Sequence, residues 1–144
     1  MNATPAEDLA GYLRDYPTEA VFGEEPAELA FDRYHVPAFE QLNDGILLDR
    51  ERLIAHTGPA RKNVTALTLD IHDTLVQGNH VAARYTLRTT MRKGPVLVST
   101  IWMFGELAPD GRLRRIVSTS RTEPVQEPAT AQAAADRITP STAG

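Results

Sequence analysis

The sequence predicts an α+β fold, with helices before Val64 and a mostly antiparallel sheet from Val64 to Thr122. Three observations predict it. Val, Ile, Thr, Tyr, Phe and Trp are concentrated in runs after Val64, as strands require. Gly78-Asn79, Lys93-Gly94-Pro95 and Pro109-Asp110-Gly111 separate those runs as tight turns. Before Val64 the chain shows helix caps and apolar residues at helical spacing. A sheet of this size needs a cover for one face, and the three helices supply it.

The 144 residues suit one domain, expected to span 1–122, with a tail over 123–144. Hydrophobic content of 42% and charged content of 24% are ordinary for a globular chain. There is no cysteine, which excludes disulfides, thiolate metal sites and a cysteine nucleophile. No apolar run approaches the ~20 residues that span a bilayer, so no membrane role is expected. The polar, acidic N-terminus carries no signal-peptide pattern, and a cytoplasmic location is the expectation. Charge is uneven: residues 1–51 carry 12 acidic and 3 basic side chains, and residues 52–122 carry 4 and 11. The basic half has no aromatic-interleaved run, so the expectation is no nucleic-acid binding and an acidic helical layer beside a basic sheet.

Thr4-Pro5-Ala6-Glu7 reads as a helix start, with Thr4 as cap and Glu7 completing a capping box. Leu9, Tyr12, Leu13 and Tyr16 then share one face, and Pro17 is expected to end the helix. A second helix begins near Pro26, with Ala27, Ala30, Phe31 and Tyr34 on one face. Pro37 stops it, and Ala38 to Leu42 is expected to make another helical turn. Asn43-Asp44-Gly45 is a turn before a short strand at Ile46 to Leu48. Asp49 caps a third helix, Arg50 to Thr57, which Gly58-Pro59 is expected to stop. Strands follow at Ala66–Val76, Val81–Met91, Val96–Phe104 and Leu113–Ser120. The Pro-punctuated, Ala/Thr/Gln-rich tail is expected to be disordered.

If Gly78-Asn79 is a two-residue turn, Asp73 opposes Arg84, His72 opposes Tyr85 and Asp70 opposes Leu87. One face then holds Asp70, His72, Thr74, Ala83, Tyr85 and Leu87. The other holds Leu69, Ile71, Asp73, Leu75, Ala82, Arg84 and Arg88. The first suits a partly polar cavity. The second mixes apolar and basic groups and suggests a homodimer formed through the sheet. A one-residue bulge would exchange the faces.

No short phosphate or metal motif is present, and no cofactor or metal is expected. His72 between Asp70 and Tyr85 is the best polar constellation, fit to act as general base or acid near neutral pH, or merely to decorate an exposed face. Tyr34 is either a core tyrosine or a hydrogen-bond donor at the cavity mouth. His35 reads as a core residue. His56 lies near the expected end of the third helix, where an imidazolium suits the helix dipole. Trp102, the sole tryptophan, reads as core or cavity wall.

Several stretches carry a resemblance. Phe31-Asp-Arg-Tyr34 through Asn43-Asp-Gly45, Leu53-Ile-Ala-His56, Gly78-Asn-His-Val-Ala-Ala-Arg84 and Phe104-Gly-Glu-Leu-Ala-Pro-Asp-Gly111-Arg-Leu-Arg-Arg-Ile116 resemble the SnoaL-like branch of the nuclear transport factor 2-like superfamily. The resemblance covers about residues 6–122 and implies a cone-shaped fold, with three N-terminal helices on a strongly bent sheet. It implies a cofactor-independent cyclase, isomerase or dehydratase acting on a hydrophobic, polyketide-like carbonyl compound in secondary metabolism. The alternative is a pocket protein that binds such a molecule without turnover. SnoaL-type cyclases resemble one another in a carboxylate on the last strand, but here that strand reads Ile116-Val-Ser-Thr-Ser-Arg-Thr122. Acid–base work is therefore expected from His72, Asp70, Tyr34 or His56, with Tyr85, Trp102, His56 and Ser118 contacting substrate.

Overall fold

The computed structural model describes residues 3–125. Elements follow in the order α1 (Leu9–Phe22), α2 (Ala27–Tyr34), β1 (His35–Asn43), β2 (Ile46–Asp49), α3 (Arg50–Asn63), β3 (Val64–Gln77), β4 (His80–Met91), β5 (Val96–Leu107) and β6 (Leu113–Val125). The strands form one sheet in the order β2-β1-β6-β5-β4-β3. Only β1 and β6 pair in parallel. The expected α+β architecture is therefore present: three helices on a curved, mostly antiparallel sheet. Because β2 and β3 are opposite edges, α3 must carry the chain from one side of the sheet to the other.

Two of the three prolines expected to end helices, Pro17 and Pro59, lie inside them, whereas Pro37 follows the end of α2. The helix α1 starts at the Asp8 cap, whose Oδ1 accepts from the Gly11 N–H at 2.8 Å, and continues through Pro17 to Phe22. Thr4 and Glu7 do exchange capping bonds, but in a turn that precedes the helix. Proline removes one helical bond. Tertiary contacts hold the second half of α1 in place regardless. Ala20 is buried, and its carbonyl accepts from Arg61 Nε of α3 at 2.7 Å. Arg61 Nη2 also reaches the Glu25 carbonyl at 2.9 Å, which ties α3 to the α1–α2 loop. That same arginine explains why α3 passes through Gly58-Pro59: its last turn is anchored on α1.

The expected helical turn at Ala38 to Leu42 is instead strand β1. It is held on both sides, with Gln41 opposite Leu48 of β2 and opposite Ile116 of β6. The last strand continues past Thr122 to Val125. The expected disordered tail lies otherwise outside the described residues.

The hairpin β3–β4 turns at Gly78, which adopts φ +59°. Near the turn the expected register holds, with Asp73 opposite Arg84 and Thr74 opposite Ala83. Beyond it a bulge intervenes between Ile71 and Asp73, and His72 is the extra residue. Ile71, not His72, opposes Tyr85, and Asp70 opposes Thr86. The expected faces are corrected accordingly. Leu69, Ile71 and Tyr85 pack against the core, which also contains Leu9, Leu13, Phe31, Phe39, Met103 and Ile116. Asp70 and His72 are exposed on the outer face. The driving force is burial: the observed register puts two large aliphatic side chains inside in place of a carboxylate and an imidazole.

Candidate functional site

Between α1 and the sheet lies a cavity of about 140 Å³. Helix α1 contributes Tyr12, Leu13, Tyr16 and Pro17, and the strands contribute Gln41, Tyr85, Met103, Ile116 and Ser118. The residues at positions 13 and 17 are the two ends of the helical bond that proline forbids. Pro17 also walls a second hollow of about 200 Å³, lined by Leu67, Leu69 and Leu87 with Arg14 and Thr18.

The chain has four tyrosines, and all four converge here. The Tyr12 and Tyr16 rings stack with centroids 5.9 Å apart, as i and i+4 residues of one helix face. Tyr34 meets both edge-on, at 5.4 and 5.8 Å. Tyr85 reaches the same space from β4. Their hydroxyls have different fates. Tyr34 donates to Glu19 Oε2 at 2.6 Å, and Glu19 also pairs with Arg33. Tyr12 bonds to His35 Nε2 at 2.7 Å. The hydroxyls of Tyr16 and Tyr85 have no hydrogen-bond partner among the described residues, and both residues line the cavity. Burial pushes each of these two phenols up to about 12, so both remain protonated donors at neutral pH.

His35 is 2% exposed and boxed by rings: Phe31 stacks on it at 4.2 Å, with Phe39 at 4.6 Å and Tyr16 at 4.8 Å. Its Nδ1 lies 2.8 Å from the Phe31 carbonyl. A carbonyl only accepts, so Nδ1 carries the proton and Nε2 presents a lone pair. Burial lowers the imidazole to about 4, which keeps it neutral. On the strand side, Ser118 accepts from Gln41 Nε2 at 3.1 Å and donates to Asn43 Oδ1 at 2.8 Å. This gives the cavity a small polar strip opposite the phenols.

The expected site residues separate into two groups. Tyr85 and Ser118 line the cavity. Tyr34 is buried beside it with its hydroxyl committed to Glu19. The others lie elsewhere. His72 bonds Thr86 Oγ1 at 2.7 Å on the outer face, and Asp70 is exposed on that side. Trp102 is 39% exposed, also on the outer face, beside Leu75, Arg84 and Phe104. His56 is exposed in mid-helix, because α3 extends to Asn63, and lines a separate groove with Ile46, Leu48 and Arg52. Tyr12, Tyr16 and Gln41 were not among the expected site residues. One signal was available: two tyrosines four residues apart on an otherwise apolar helix face. Among the described residues no cluster of carboxylates and histidines could hold a metal ion. Nor is any described helix long and apolar enough to cross a membrane.

No protein-family model and no curated protein matches the sequence. Solved structures do match. IdmH of Streptomyces antibioticus, a proposed polyketide cyclase, is 17% identical, with 81% of this chain and 91% of that one covered at a TM-score of 0.59. A proposed SnoaL-like polyketide cyclase from Jannaschia sp. CCS1 is 15% identical over 85% and 91%, also at 0.59. A de novo designed protein of the nuclear transport factor 2 fold is 17% identical over 91% and 93%, at 0.57. That an invented sequence matches as well as a natural one means that the likeness carries architecture, not chemistry. The three helices, the sheet order and these likenesses together show that the chain has the nuclear transport factor 2-like fold.

Proposed function

We propose that the cavity binds a hydrophobic, polyketide-like carbonyl compound and promotes its enolisation, as a cofactor-independent cyclase, isomerase or dehydratase does, with phenol hydroxyls bonding the carbonyl oxygen while the α-proton passes to a water molecule. One observation carries this reading: Tyr16 and Tyr85 place two protonated, otherwise unpartnered phenols in one largely apolar cavity. Such donors stabilise negative charge that develops on a carbonyl oxygen. Neither Asp70 nor His72 takes part, since both stand on the outer face.

A second reading, binding without turnover, is favoured by a specific fact: no carboxylate or imidazole lines the cavity itself. The two are separated by following α-proton exchange of 2-tetralone in D₂O by NMR. Catalysed exchange that Tyr16→Phe and Tyr85→Phe each reduce by ~10²-fold supports the enzyme. Saturable binding of 2-tetralone without exchange supports the binding protein. Absence of both overturns the pocket reading.

The outer face supports a homodimer. Leu75 and Phe104 are 70% and 71% exposed there, next to Trp102 and Val117. A contiguous apolar patch of this kind marks an interaction surface, and a two-fold pair is the commonest way to cover it. Light scattering at micromolar concentration should give twice the monomer mass. A monomer would exclude the dimer.

A further inference from the structure

We infer that His35 fixes Tyr12 as a hydrogen-bond acceptor, so that this wall of the cavity selects ligands carrying a hydroxyl. The inference rests on the pocket reading above and assigns a specificity-determining role to a residue outside the cavity. Its basis is a chain of donors and acceptors that permits one arrangement. The Phe31 carbonyl can only accept, so His35 donates from Nδ1 across 2.8 Å. Nε2 is then unprotonated, and the 2.7 Å bond to Tyr12 must run from the phenol to the imidazole. With its one proton committed, the Tyr12 oxygen offers only lone pairs to any other group.

The arrangement is held firmly. His35 is 2% exposed within five aromatic rings, and its neutral form is favoured by that burial. Flipping the tautomer would leave the Phe31 carbonyl facing a lone pair and Tyr12 facing an N–H. The three phenols of the cavity therefore divide into one that can only accept, Tyr12, and two that keep a proton to donate, Tyr16 and Tyr85. A ligand that both donates and accepts, such as an enol or a hydroxy-carbonyl compound, matches this set. A ligand bearing only ether or ketone oxygens leaves Tyr12 unmatched.

Two measurements on the full chain test this. In long-range ¹H–¹⁵N spectra, His35 should appear as the neutral Nδ1–H tautomer from pH 8 to pH 5.5. The Nε2–H tautomer would overturn the inference without touching the pocket reading. Fluorine NMR titrations with 4-fluorophenol and 4-fluoroanisole supply the second. The phenol should bind ~3–10-fold more tightly to the wild type, the worth of one net hydrogen bond. In His35→Phe the Tyr12 proton is released, and the preference should fall to about one. Tyr12→Phe should show the same loss if His35→Phe folds poorly. An unchanged preference in either variant assigns His35 a purely structural role. Failure of both probes to bind the wild type overturns the pocket reading together with the inference.

Discussion

The two faces of the β3–β4 hairpin treat their polar groups differently: the inner face sets Leu69, Ile71 and Tyr85 against the core, and the outer face carries Asp70, His72, Asp73 and Arg84. On the outer face polar groups find partners in each other: His72 bonds Thr86, and Asp73 pairs with Arg84 at 2.9 Å. Water reaches these groups, so the bonds are optional. On the inner face, where α1 covers the sheet, burial is deeper, and the phenols are either matched by a fixed partner, as Tyr12 is by His35, or turned toward the cavity, as Tyr16 and Tyr85 are. The difference teaches that a cluster of polar groups alone does not mark a site. Enclosure does, because it makes each hydrogen bond obligatory.

Four measurements would break or sharpen that contrast. The largest effect is expected inside. Tyr85→Phe should lower the rate of 2-tetralone exchange by ~10²-fold while keeping the fold, since only a hydroxyl is lost. An effect under threefold would remove Tyr85 from the chemistry.

The pH dependence of stability comes next. His35 titrates at about 4 when folded, against an ordinary 6.5. Between those values the unfolded chain binds more protons, so stability is fully present above pH 6.5 and is lost as the pH falls toward 4. The cost by pH 4 is about 3 kcal/mol, or roughly 10 °C in Tm. The imidazole faces Tyr12 and Tyr16 from α1, Tyr34 and Asp32 from α2, and Arg112 from the turn before β6. Asp32 favours the proton and Arg112 opposes it, both less than burial does. Melting curves of His35→Phe should lack this part of the acid sensitivity. An identical acid profile would contradict the assignment.

Third, Phe104→Asp should dissociate the proposed homodimer, raising its dissociation constant by at least ~10-fold as a charge enters an apolar contact. Sedimentation that shows unchanged association would place the interface elsewhere. The smallest effect belongs to His72→Ala. It removes one exposed hydrogen bond and should shift Tm by less than about 3 °C, with 2-tetralone exchange unchanged. A large loss of exchange would return His72 to the site.

Much of this was legible in the sequence. Turn residues located all four long strands, and Asp49 does cap α3, with Oδ1 2.9 Å from the Arg52 N–H. What failed did so for identifiable reasons. Pro17 and Pro59 break helices by local rules, but Arg61 ties both helices together over long sequence distance. Ala38 to Leu42 lacks a local strand signal because its partner β6 lies far along the chain. The site was half legible. Tyr85 and Ser118 could be placed by alternation, whereas His72 could not, because nothing local announces a bulge. The sequence puts Tyr12 and Tyr16 on one helix face with Leu9 and Leu13, and Tyr12 is indeed core. Their second role emerges only when β4 brings Tyr85 opposite them.

The bulge at His72 has a consequence for insertions and deletions. Removing one residue from a strand ordinarily inverts every side chain beyond the cut. Here the strand already carries a spare. Without His72, Ile71 would still oppose Tyr85 and Asp73 would still oppose Arg84, now as consecutive pairs of an unbroken ladder. Deletion of His72 should therefore preserve which residues face in and which face out, and should remove only the added bend and twist that a bulge imparts. That deletion separates two properties that point substitutions leave entangled: the pattern of the hairpin, which sets what lines the cavity, and its curvature, which sets how the wall closes over it.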